Sequence, residues 1–378
     1  MKKTVAVFFG GRSPEHDISI VTAISSVIKP LELTKKYTVV PIYITKNGKW
    51  VSNNKLTDMG TYQTGKIDEL VAKSKPLPVS FDGGFSINKK RIDIAFPAMH
   101  GAYGEDGSLM GLLRMAGIPF VGSDMDASVI AMDKVLAKQV ASANKIPTSK
   151  FVFFSREQIL TGLNMVTDAI EKALMYPLFV KPAHLGSSIG ITKVKNSVEL
   201  ANALEVAAYY DEKIIVEEAV NNLIEVTVPI IGNDTLTPAL VERPLSPSDG
   251  VFDFDTKYIH GGGKKGGAKQ AGAQGYSELP AKLPGDLYDE SIKTAVVVYK
   301  AIGASGIARV DLLIDSKTNK VYFNEVNPLP GSLYAHNWRA SGMSTMRLVE
   351  KLIGYAEEKF AEKQKLTSSF DSNFLKQF

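Results

Sequence analysis

The chain has 378 residues, a formal net charge of +4, and 44% hydrophobic and 22% charged residues, the proportions of a globular protein with two or three domains. It contains no cysteine, so disulfides, thiolate catalysis and cysteine-based zinc sites are excluded. The small net charge and the lack of an arginine-rich tract argue against a nucleic-acid partner. No stretch predicts a membrane span, and the first apolar run, which ends at Gly10, is too short for a signal peptide. We therefore expect a cytoplasmic protein without a membrane partner.

The first hundred residues alternate strand and helix signals. TVAVFFGG is a continuous apolar run that ends in glycines, a helical pattern follows from about Asp17 to Ile28, and further strands are predicted at YTVVPIYI and IDIAFPAM. This βαβ alternation predicts an open parallel sheet with helices on both faces. In such a sheet functional groups collect beyond the carboxyl ends of the strands, where GGRSPEH and HGAYGEDG lie.

Two residues in these loops are candidates for binding a substrate. Glu15 could hold an ammonium group or could cap the next helix together with Ser13 and Asp17, and its position beyond the strand end favours the first role. His100 opens the second loop and is a candidate substrate contact. We expect the acidic pair that follows, Glu105–Asp106, to occupy the first turn of a helix, where negative charge is favoured.

The pattern changes at about Phe151. A helix from about Arg156 to Leu174 leads to the strand LFVKPA, a Gly/Ser turn and the strand GITKV, which together predict an antiparallel flap. A third region begins near Leu223 and ends in an amphipathic helix from about Thr345 to Glu362. We predict domains at residues 1–122, 123–220 and 221–378.

The flap turn HLGSSIG could bind phosphate. Its small residues allow backbone N–H groups to approach phosphate oxygens, and Lys181 on the preceding strand could reach the same oxygens. An ordinary hairpin turn explains the same sequence equally well. Lys134 lies on a predicted helix with apolar neighbours, where a lysine is usually a solvated surface residue.

A glycine-rich segment follows Thr256-Lys257-Tyr258. Seven glycines between His260 and Gly275 indicate either a lid whose lysines (Lys264, Lys265, Lys269) meet phosphate on closing, or an insertion without fixed structure.

Between Arg309 and Gly331 the sequence predicts a hairpin of two β-rich runs, IARVDLLID and KVYFNEVN. Side chains alternate along a strand, so Asp311 shares a face with Arg309, and Glu325 shares one with Asn327. If these faces coincide, two carboxylates and an amide oxygen converge, a donor set that suits Mg²⁺ better than zinc. The alternative is a solvated hairpin face, but unpaired carboxylates on a well-buried sheet would be costly.

Taken in chain order, these segments resemble the D-alanine–D-alanine ligase family of ATP-grasp enzymes. The matching segments are FFGGRSPEHDIS, HGAYGEDGSLMGLL, IPFVGS…ASVIAMDK, FVKPAHLGSSIGITKV, DTKY, ARVDLLID and FNEVNPLPG. The resemblance implies a three-domain ATP-grasp fold, combining α/β and α+β regions behind an N-terminal open parallel sheet. It also implies ATP, two Mg²⁺ or Mn²⁺ ions, small amino-acid substrates, a homodimer, and synthesis of a dipeptide for peptidoglycan precursors through an acyl phosphate.

The resemblance assigns residues to roles. Those implied to be catalytic are Glu15, Ser187, Tyr258, Arg309 and Gly331. Those implied to bind ATP are Lys134, Lys181, Ser188, Glu217, Glu218, Glu225 and Lys257. Those implied to bind the amino acids are Glu15, His100, Ser332 and Leu333, and those implied to hold metal are Asp311, Glu325 and Asn327.

The sequence departs from the family pattern in three places. Leu223 stands where the family has a ribose-binding glutamate, unless a shifted Glu225 serves. The loop after Gly331 lacks the usual threonine-containing insert, which leaves a different second amino acid or amine open as the nucleophile. The predicted lid is rich in glycine, and Met110 and Arg114 replace a glutamine and a glutamate. A catalytically weak nucleotide-binding protein is a third hypothesis, motivated by Leu223.

Overall fold

The computed structural model describes residues 2–81, 84–245, 277–367, 372 and 374–378. Within them the strands form three four-stranded sheets and two smaller ones. The larger sheets follow one another along the chain, and each is built from strands of one predicted domain. The boundaries between the domains stay a prediction.

The first region contains the open parallel sheet that the sequence predicts, with one short antiparallel strand added at its edge. Its elements are β1 (Lys3–Gly10), α1 (His16–Val21), a π-helical segment (Thr22–Ile28), α2 (Lys29–Thr34), β2 (Tyr37–Ile44), β3 (Trp50–Val51), a 3-10 turn (Asn54–Thr57), α3 (Met59–Gln63), α4 (Lys66–Lys73), β4 (Val79–Ser80), β5 (Ser86–Ile87), β6 (Lys90–Arg91), β7 (Ile94–Pro97) and α5 (Ser108–Met115). The strand order is β3-β2-β1-β7, with β1 parallel to both β2 and β7. β1 is buried on both faces from Val5 onward, as its apolar run requires.

The second region is an antiparallel sheet covered by two helices. Its elements, after α6 (Met125–Met132) and α7 (Lys134–Ala143), are β8 (Phe151–Ser155), α8 (Arg156–Ala173), β9 (Leu178–Pro182), β10 (Thr192–Val194), α9 (Ser197–Tyr210) and β11 (Lys213–Glu218). The strand order is β10-β9-β11-β8. β9 and β10 pair antiparallel and are joined by the small-residue turn, which confirms the predicted flap.

The third region is a second antiparallel sheet. Its elements are β12 (Leu223–Gly232), β13 (Thr237–Pro238), β14 (Arg243–Pro244), β15 (Ser277–Glu278), α10 (Leu287–Ala301), β16 (Gly306–Asp315), β17 (Lys320–Asn327), a 3-10 turn (Gly331–Tyr334), α11 (Ala335–Ala340), α12 (Thr345–Gln364) and a final 3-10 turn (Phe374–Gln377). The main strand order is β13-β12-β16-β17.

Two packing contacts cross the predicted boundaries. α12 and Trp338 belong to the core of the first sheet, together with Val5 and Phe96. The alanines of α7 pack in the core of the third sheet, whereas the second sheet has a separate core with α8 and α9. Val135 of α7 packs with Ala183 and with Ile215 of the second sheet, so the helix that carries Lys134 lies between the second and third sheets. Among the helices of the described residues, none combines the length and the apolar character needed to cross a membrane.

Candidate active site

The hairpin β16–β17 brings the predicted metal ligands together. Arg309 pairs with Asn327 and Asp311 with Glu325, so all four side chains lie on one face, as predicted. The register then shifts, and Leu312 pairs with Phe323. This bulge keeps the apolar side chains of both strands in the core on either side of the acidic pair.

The carboxylates of this group contact basic and amide groups of the protein itself. The Arg309 guanidinium donates Nε to Asp311 Oδ1 (2.7 Å) and Nη2 to Oδ2 (2.6 Å), and Asn327 Nδ2 donates to Oδ2 at 3.0 Å. Lys134 Nζ lies 3.5 Å from Glu325 Oε2. The described residues contain no cluster of three or more His, Cys, Asp or Glu side chains suited to a metal. The fit to Mg²⁺ rests on the donor chemistry alone: two carboxylates and one amide oxygen would leave coordination positions for water and phosphate oxygens.

A buried ion cluster lies between α7 and β11. Lys138 Nζ and Lys181 Nζ each lie 3.3 Å from Glu217 Oε2, and the Ser149 hydroxyl donates to the same oxygen at 3.1 Å. Burial alone would raise the pKa of Glu217, but the two ammonium groups bring it down to about 2. Glu217 Oε1 is buried and accepts no hydrogen bond from the residues that the structure describes.

The other acidic residues assigned to ATP are placed apart from this cluster. Glu218 follows Glu217 on the strand, and its side chain accepts a hydrogen bond from Met175 N at 3.0 Å. Leu223 and Glu225 alternate with Thr227 on the β12 face that adjoins Asp311, because Thr227 pairs with Asp311. Of the two candidates for the ribose position, Glu225 is two residues nearer along β12 to Thr227, the partner of Asp311.

Glu15 lies where the first sheet meets the flap. It occupies the N-cap position of α1 but makes no capping bond with its side chain. Its carboxylate instead accepts a hydrogen bond from the Ser187 hydroxyl. Burial and the nearby Glu105 raise its pKa, against the opposite effects of Ser187, His100 and Lys134. The contact favours the binding interpretation of Glu15 over the capping one.

His100 is buried beside Glu15, and a hydroxyl links it to the third region. Its Nε2 lies 2.8 Å from Thr22 Oγ1, which also accepts the backbone N–H of Ser332 at 2.9 Å. Its Nδ1 lies 3.8 Å from Glu105 Oε2. Burial alone would lower the pKa of His100, but the Glu105 carboxylate raises it above its ordinary value.

The prediction that Glu105 and Asp106 lie in the first turn of a helix is wrong. The helix begins at Ser108, and both carboxylates organise the turn before it. Glu105 accepts the backbone N–H of Gly101 at 2.6 Å, and Asp106 accepts those of Tyr103 and Ser108. The two carboxylates therefore accept backbone N–H groups of the turn before the helix, and this turn fixes the position of His100.

The flap turn has a strained backbone. Ser187 and Ser188 have φ values of +54° and +60°, in the left-handed region that residues other than glycine rarely adopt. Lys134 holds the base of this turn, since its Nζ donates to Leu185 O at 2.6 Å and its backbone N–H to Ala183 O at 3.0 Å. Lys134 therefore contacts both the flap and Glu325 of the β16–β17 hairpin. Its side chain is buried rather than solvated.

Gly331, Ser332 and Leu333 form a 3-10 turn after the hairpin. A Cβ placed on Gly331 would meet no described atom within 4 Å, so space lies in front of it. The Leu333 side chain is fully buried in the core of the first sheet, so only its backbone can face a substrate. Lys257, Tyr258 and the predicted lid lie outside the described residues.

Two kinds of residue in this site escape sequence reasoning. Lys138 is fully buried, and its only signal is the four-residue spacing from Lys134, one helical turn along α7. No sequence motif marks a second set of residues, because most of their contacts are with residues distant in sequence. These residues are Thr22, Glu242, Tyr334 and His336.

The structure has two antiparallel sheets beside an open parallel sheet. Lys134 contacts the flap of one antiparallel sheet and the acidic hairpin of the other. This arrangement places the protein in the ATP-grasp class of enzymes. The family model for the D-ala D-ala ligase N-terminus matches residues 4–123, and that for the C-terminus matches residues 140–354. The chain belongs to the D-alanine–D-alanine ligase family, and it is a ligase.

Individual relatives agree over nearly the full length. The chain is 37% identical to a D-alanine–D-alanine ligase from Chlorobium limicola, over 95% of this chain and 98% of that protein. The structure of the D-alanine–D-alanine ligase from Coxiella burnetii matches with a TM-score of 0.79 and 27% identity over 96% of both chains. The VanG D-Ala:D-Ser ligase from Enterococcus faecalis matches with a TM-score of 0.78 and 34% identity, over 94% of this chain and all of that one.

Proposed function

We propose that the protein joins two D-alanine molecules into D-alanyl-D-alanine, with ATP converted to ADP and phosphate, for the synthesis of peptidoglycan precursors. The observation that carries this proposal is the double contact of the flap. Its Ser187 bonds to Glu15 of the first region, and its Leu185 bonds to Lys134, which contacts Glu325 of the third. These contacts link the groups that the proposal assigns to the amine, the phosphates and the metal ions.

The nucleotide lies between the second and third sheets in this proposal. Lys134, Lys181 and, from outside the described residues, Lys257 contact its phosphates, and Ser188 does so through the flap backbone. Glu217 and Glu218 lie at the base, and Glu225 serves the ribose, since it shares a face with Thr227 and Asp311. Asp311, Glu325 and Asn327 would hold two Mg²⁺ or Mn²⁺ ions. Such ions neutralise charge that develops on phosphoryl oxygens.

Glu15 binds the ammonium group of the first D-alanine, with Ser187 and Tyr258 in one hydrogen-bonded set. Burial and Glu105 raise the pKa of Glu15, and an ammonium group beside it would favour the ionised carboxylate. With its amine held, the substrate presents its carboxylate to the γ-phosphate. The carboxylate oxygen attacks phosphorus, the bond to the β–γ bridging oxygen breaks, and ADP leaves.

The second D-alanine then attacks as a neutral amine. Its nitrogen adds to the carbonyl of the acyl phosphate, and the carbonyl oxygen becomes an oxyanion. The nitrogen then gives up one proton to the departing phosphate or to solvent, the carbonyl re-forms, and phosphate leaves as the C–O bond breaks. Arg309 and the backbone N–H of Gly331 donate to that oxyanion, and removing one such donor typically costs about 10²–10³ in rate. His100, Ser332 and the backbone of Leu333 line the amino-acid sites. Closure over the cleft protects the acyl phosphate from water.

D-Serine is the alternative second substrate that the comparisons suggest. The VanG relative is named for D-Ala:D-Ser ligation, and the loop after Gly331 lacks the family's usual insert. The many relatives named D-alanine–D-alanine ligase favour D-alanine.

We further propose a cytoplasmic homodimer divided into domains at residues 1–122, 123–220 and 221–378. The family resemblance supports the dimer, and the succession of three sheets supports the division. Light scattering after size-exclusion chromatography tests the dimer, and a single protomer mass would contradict it.

Product formation tests the proposed reaction directly. Purified protein with ATP, Mg²⁺ and D-alanine should release phosphate and form D-alanyl-D-alanine, identified by mass spectrometry. Parallel reactions contain D-serine with D-alanine, and L-alanine as the stereochemical control. A mixed D-alanyl-D-serine product in preference to the D-alanine dipeptide would favour the alternative, and phosphate release without any dipeptide would contradict both.

A further inference from the structure

An aromatic ring lies against the Arg309 guanidinium. Arg309 Cζ lies 5.2 Å from the centre of the Tyr334 ring, within the distance at which a cation is attracted to an aromatic face. The Tyr334 hydroxyl lies 3.1 Å from Thr227 Oγ1, on the strand that pairs with Arg309's strand. The ring is thus fixed at its hydroxyl end.

The same ring is fixed from the side by a histidine. The His336 ring centre lies 4.5 Å from that of Tyr334, and His336 Nε2 contacts both Glu242 carboxylate oxygens at 2.8 and 3.0 Å. Glu242 is 3% exposed and also accepts Asn337 Nδ2 at 3.1 Å. A continuous set of contacts therefore runs from a buried carboxylate to Arg309.

The backbone that presents this ring is strained. Ser332, Leu333 and Tyr334 have φ values of +51°, +53° and +51°, three successive residues in the left-handed region. Such strain persists only where the surroundings determine the conformation, and it is concentrated at functional sites. Here the Thr22 hydroxyl holds Ser332, burial holds Leu333, and Thr227 with His336 holds Tyr334.

We propose that Tyr334 is a positioning residue for Arg309, with His336 and Glu242 holding Tyr334 in turn. The assignment rests on the proposed function, in which Arg309 donates to the oxyanion. Arg309 uses Nε and Nη2 on Asp311, and among the described residues its Nη1 makes no hydrogen bond. Asp311 holds one edge of the guanidinium, and the ring lies against it, so that together they fix its orientation and leave Nη1 to donate to the oxyanion.

A positioning role predicts that loss of the Tyr334 ring affects one step of the reaction, the attack of the second amino acid. Loss of the ring lets the guanidinium tilt about its Asp311 contact. Donation to the oxyanion is then weakened, whereas the lysines assigned to the nucleotide are unaltered. A purely structural role for Tyr334 predicts instead that thermal stability, ATP affinity and turnover decline together.

Three variants separate these outcomes. Tyr334→Leu removes the ring and should lower kcat about tenfold, equivalent to about 1.4 kcal/mol of activation free energy, with the Kd for an ATP analogue unchanged. Tyr334→Phe keeps the ring and should restore kcat to near the wild-type value. His336→Gln keeps a donor for Glu242 but removes the supporting ring, and its kcat should lie between those two.

The matched control is Tyr355→Leu, which removes a ring 5.9 Å from Lys351 Nζ on α12, in a comparable cation–aromatic pair. This variant should keep the wild-type kcat. A wild-type kcat in Tyr334→Leu, or an equal loss in Tyr334→Phe, would overturn the positioning role.

A measurement without substrate separates this proposal from the proposed function. In protein with ¹⁵N-labelled arginine, the Arg309 Nε–H signal, assigned with Arg309→Lys, reports hydrogen exchange with water. Exchange should be about tenfold faster in Tyr334→Leu and unchanged in Tyr334→Phe. Equal exchange rates in the wild type, Tyr334→Leu and Tyr334→Phe would refute the positioning role even if dipeptide synthesis is demonstrated. Faster exchange in Tyr334→Leu alone would support it even if no dipeptide forms.

Discussion

Replacing His184 tests the ion pairs that hold the base of the flap. His184 Nδ1 lies 2.9 Å from Asp211 Oδ1, and its Nε2 lies 3.4 Å from Asp133 Oδ2. Asp133 also caps α7 through the backbone N–H of Val135 and contacts Lys213. His184→Asn keeps a hydrogen-bond donor near Asp211 and removes the positive charge.

The magnitude follows from the pKa of the imidazole. Contacts with Asp133 and then Asp211 raise the pKa of His184 from 6.5 to about 9, against burial, which lowers it. A shift of that size corresponds to about 3 kcal/mol at full strength. Because 38% of the side chain is exposed, solvent screening reduces the expected contribution to roughly 1–2 kcal/mol.

The sign of the pH dependence is fixed by the raised pKa. The folded state binds this proton more tightly than the unfolded state, so the stabilisation is complete below pH 6.5 and is lost as the pH rises towards 9. Asp133 and Asp211 have lowered pKa values, because hydrogen bonds from His184 outweigh the effect of burial, and their contributions are lost only in acid.

The assay is urea unfolding of the wild type and His184→Asn at several pH values between 6 and 10. The difference in unfolding free energy should be largest at pH 6 and should approach zero near pH 10. A double-mutant cycle with Asp211→Asn measures the coupling of the pair directly. A difference that does not change with pH, or a cycle without coupling, would show that His184 is not held as a cation.

Three further variants address the cleft. Glu325→Gln should lower kcat at least about 100-fold with an unchanged thermal midpoint. Chelation of divalent ions should abolish turnover of the wild type, and adding the ions back should restore it. Turnover retained in either case would remove the metal assignment. Glu15→Gln should raise the KM for the first amino acid while the Kd for ATP stays constant, and a weakened Kd for ATP would contradict the ammonium role. Lys138→Met should destabilise the fold by about 3 kcal/mol by leaving Glu217 under-compensated, and Lys138→Met with Glu217→Gln should recover part of that loss in urea unfolding, whereas strictly additive effects would mean that the two residues do not interact.

Local patterns in the sequence predict much of this fold. The apolar run of β1, the flap and the hairpin around Asp311 each follow from side-chain periodicity and turn residues within about 25 positions. The convergence of Asp311 with Glu325 is predictable because strand alternation and a short turn determine which side chains share a face.

Other features depend on contacts that periodicity does not encode. The sequence around Lys138 predicts an exposed lysine. In the structure Lys138 contacts Glu217, which lies on a strand of the second sheet. Acidic residues such as Glu105 and Asp106 are common in the first turn of a helix. Here they lie in the preceding turn, because the backbone N–H groups of Gly101 and Tyr103 donate to their carboxylates. The ring of Tyr334 reaches Arg309 through a left-handed backbone that no residue type in Ser-Leu-Tyr predicts.

The hydroxyl of Thr22 contacts His100 on one side and the backbone of Ser332 on the other. One partner borders the pocket assigned to the first amino acid, and the other borders the pocket assigned to the second. If a ligand that shifts one partner also displaces this hydroxyl, the other partner loses or gains a hydrogen bond, and occupancy of the two pockets is then thermodynamically coupled. By reciprocity, each amino acid would then change the affinity for its neighbour by the same factor.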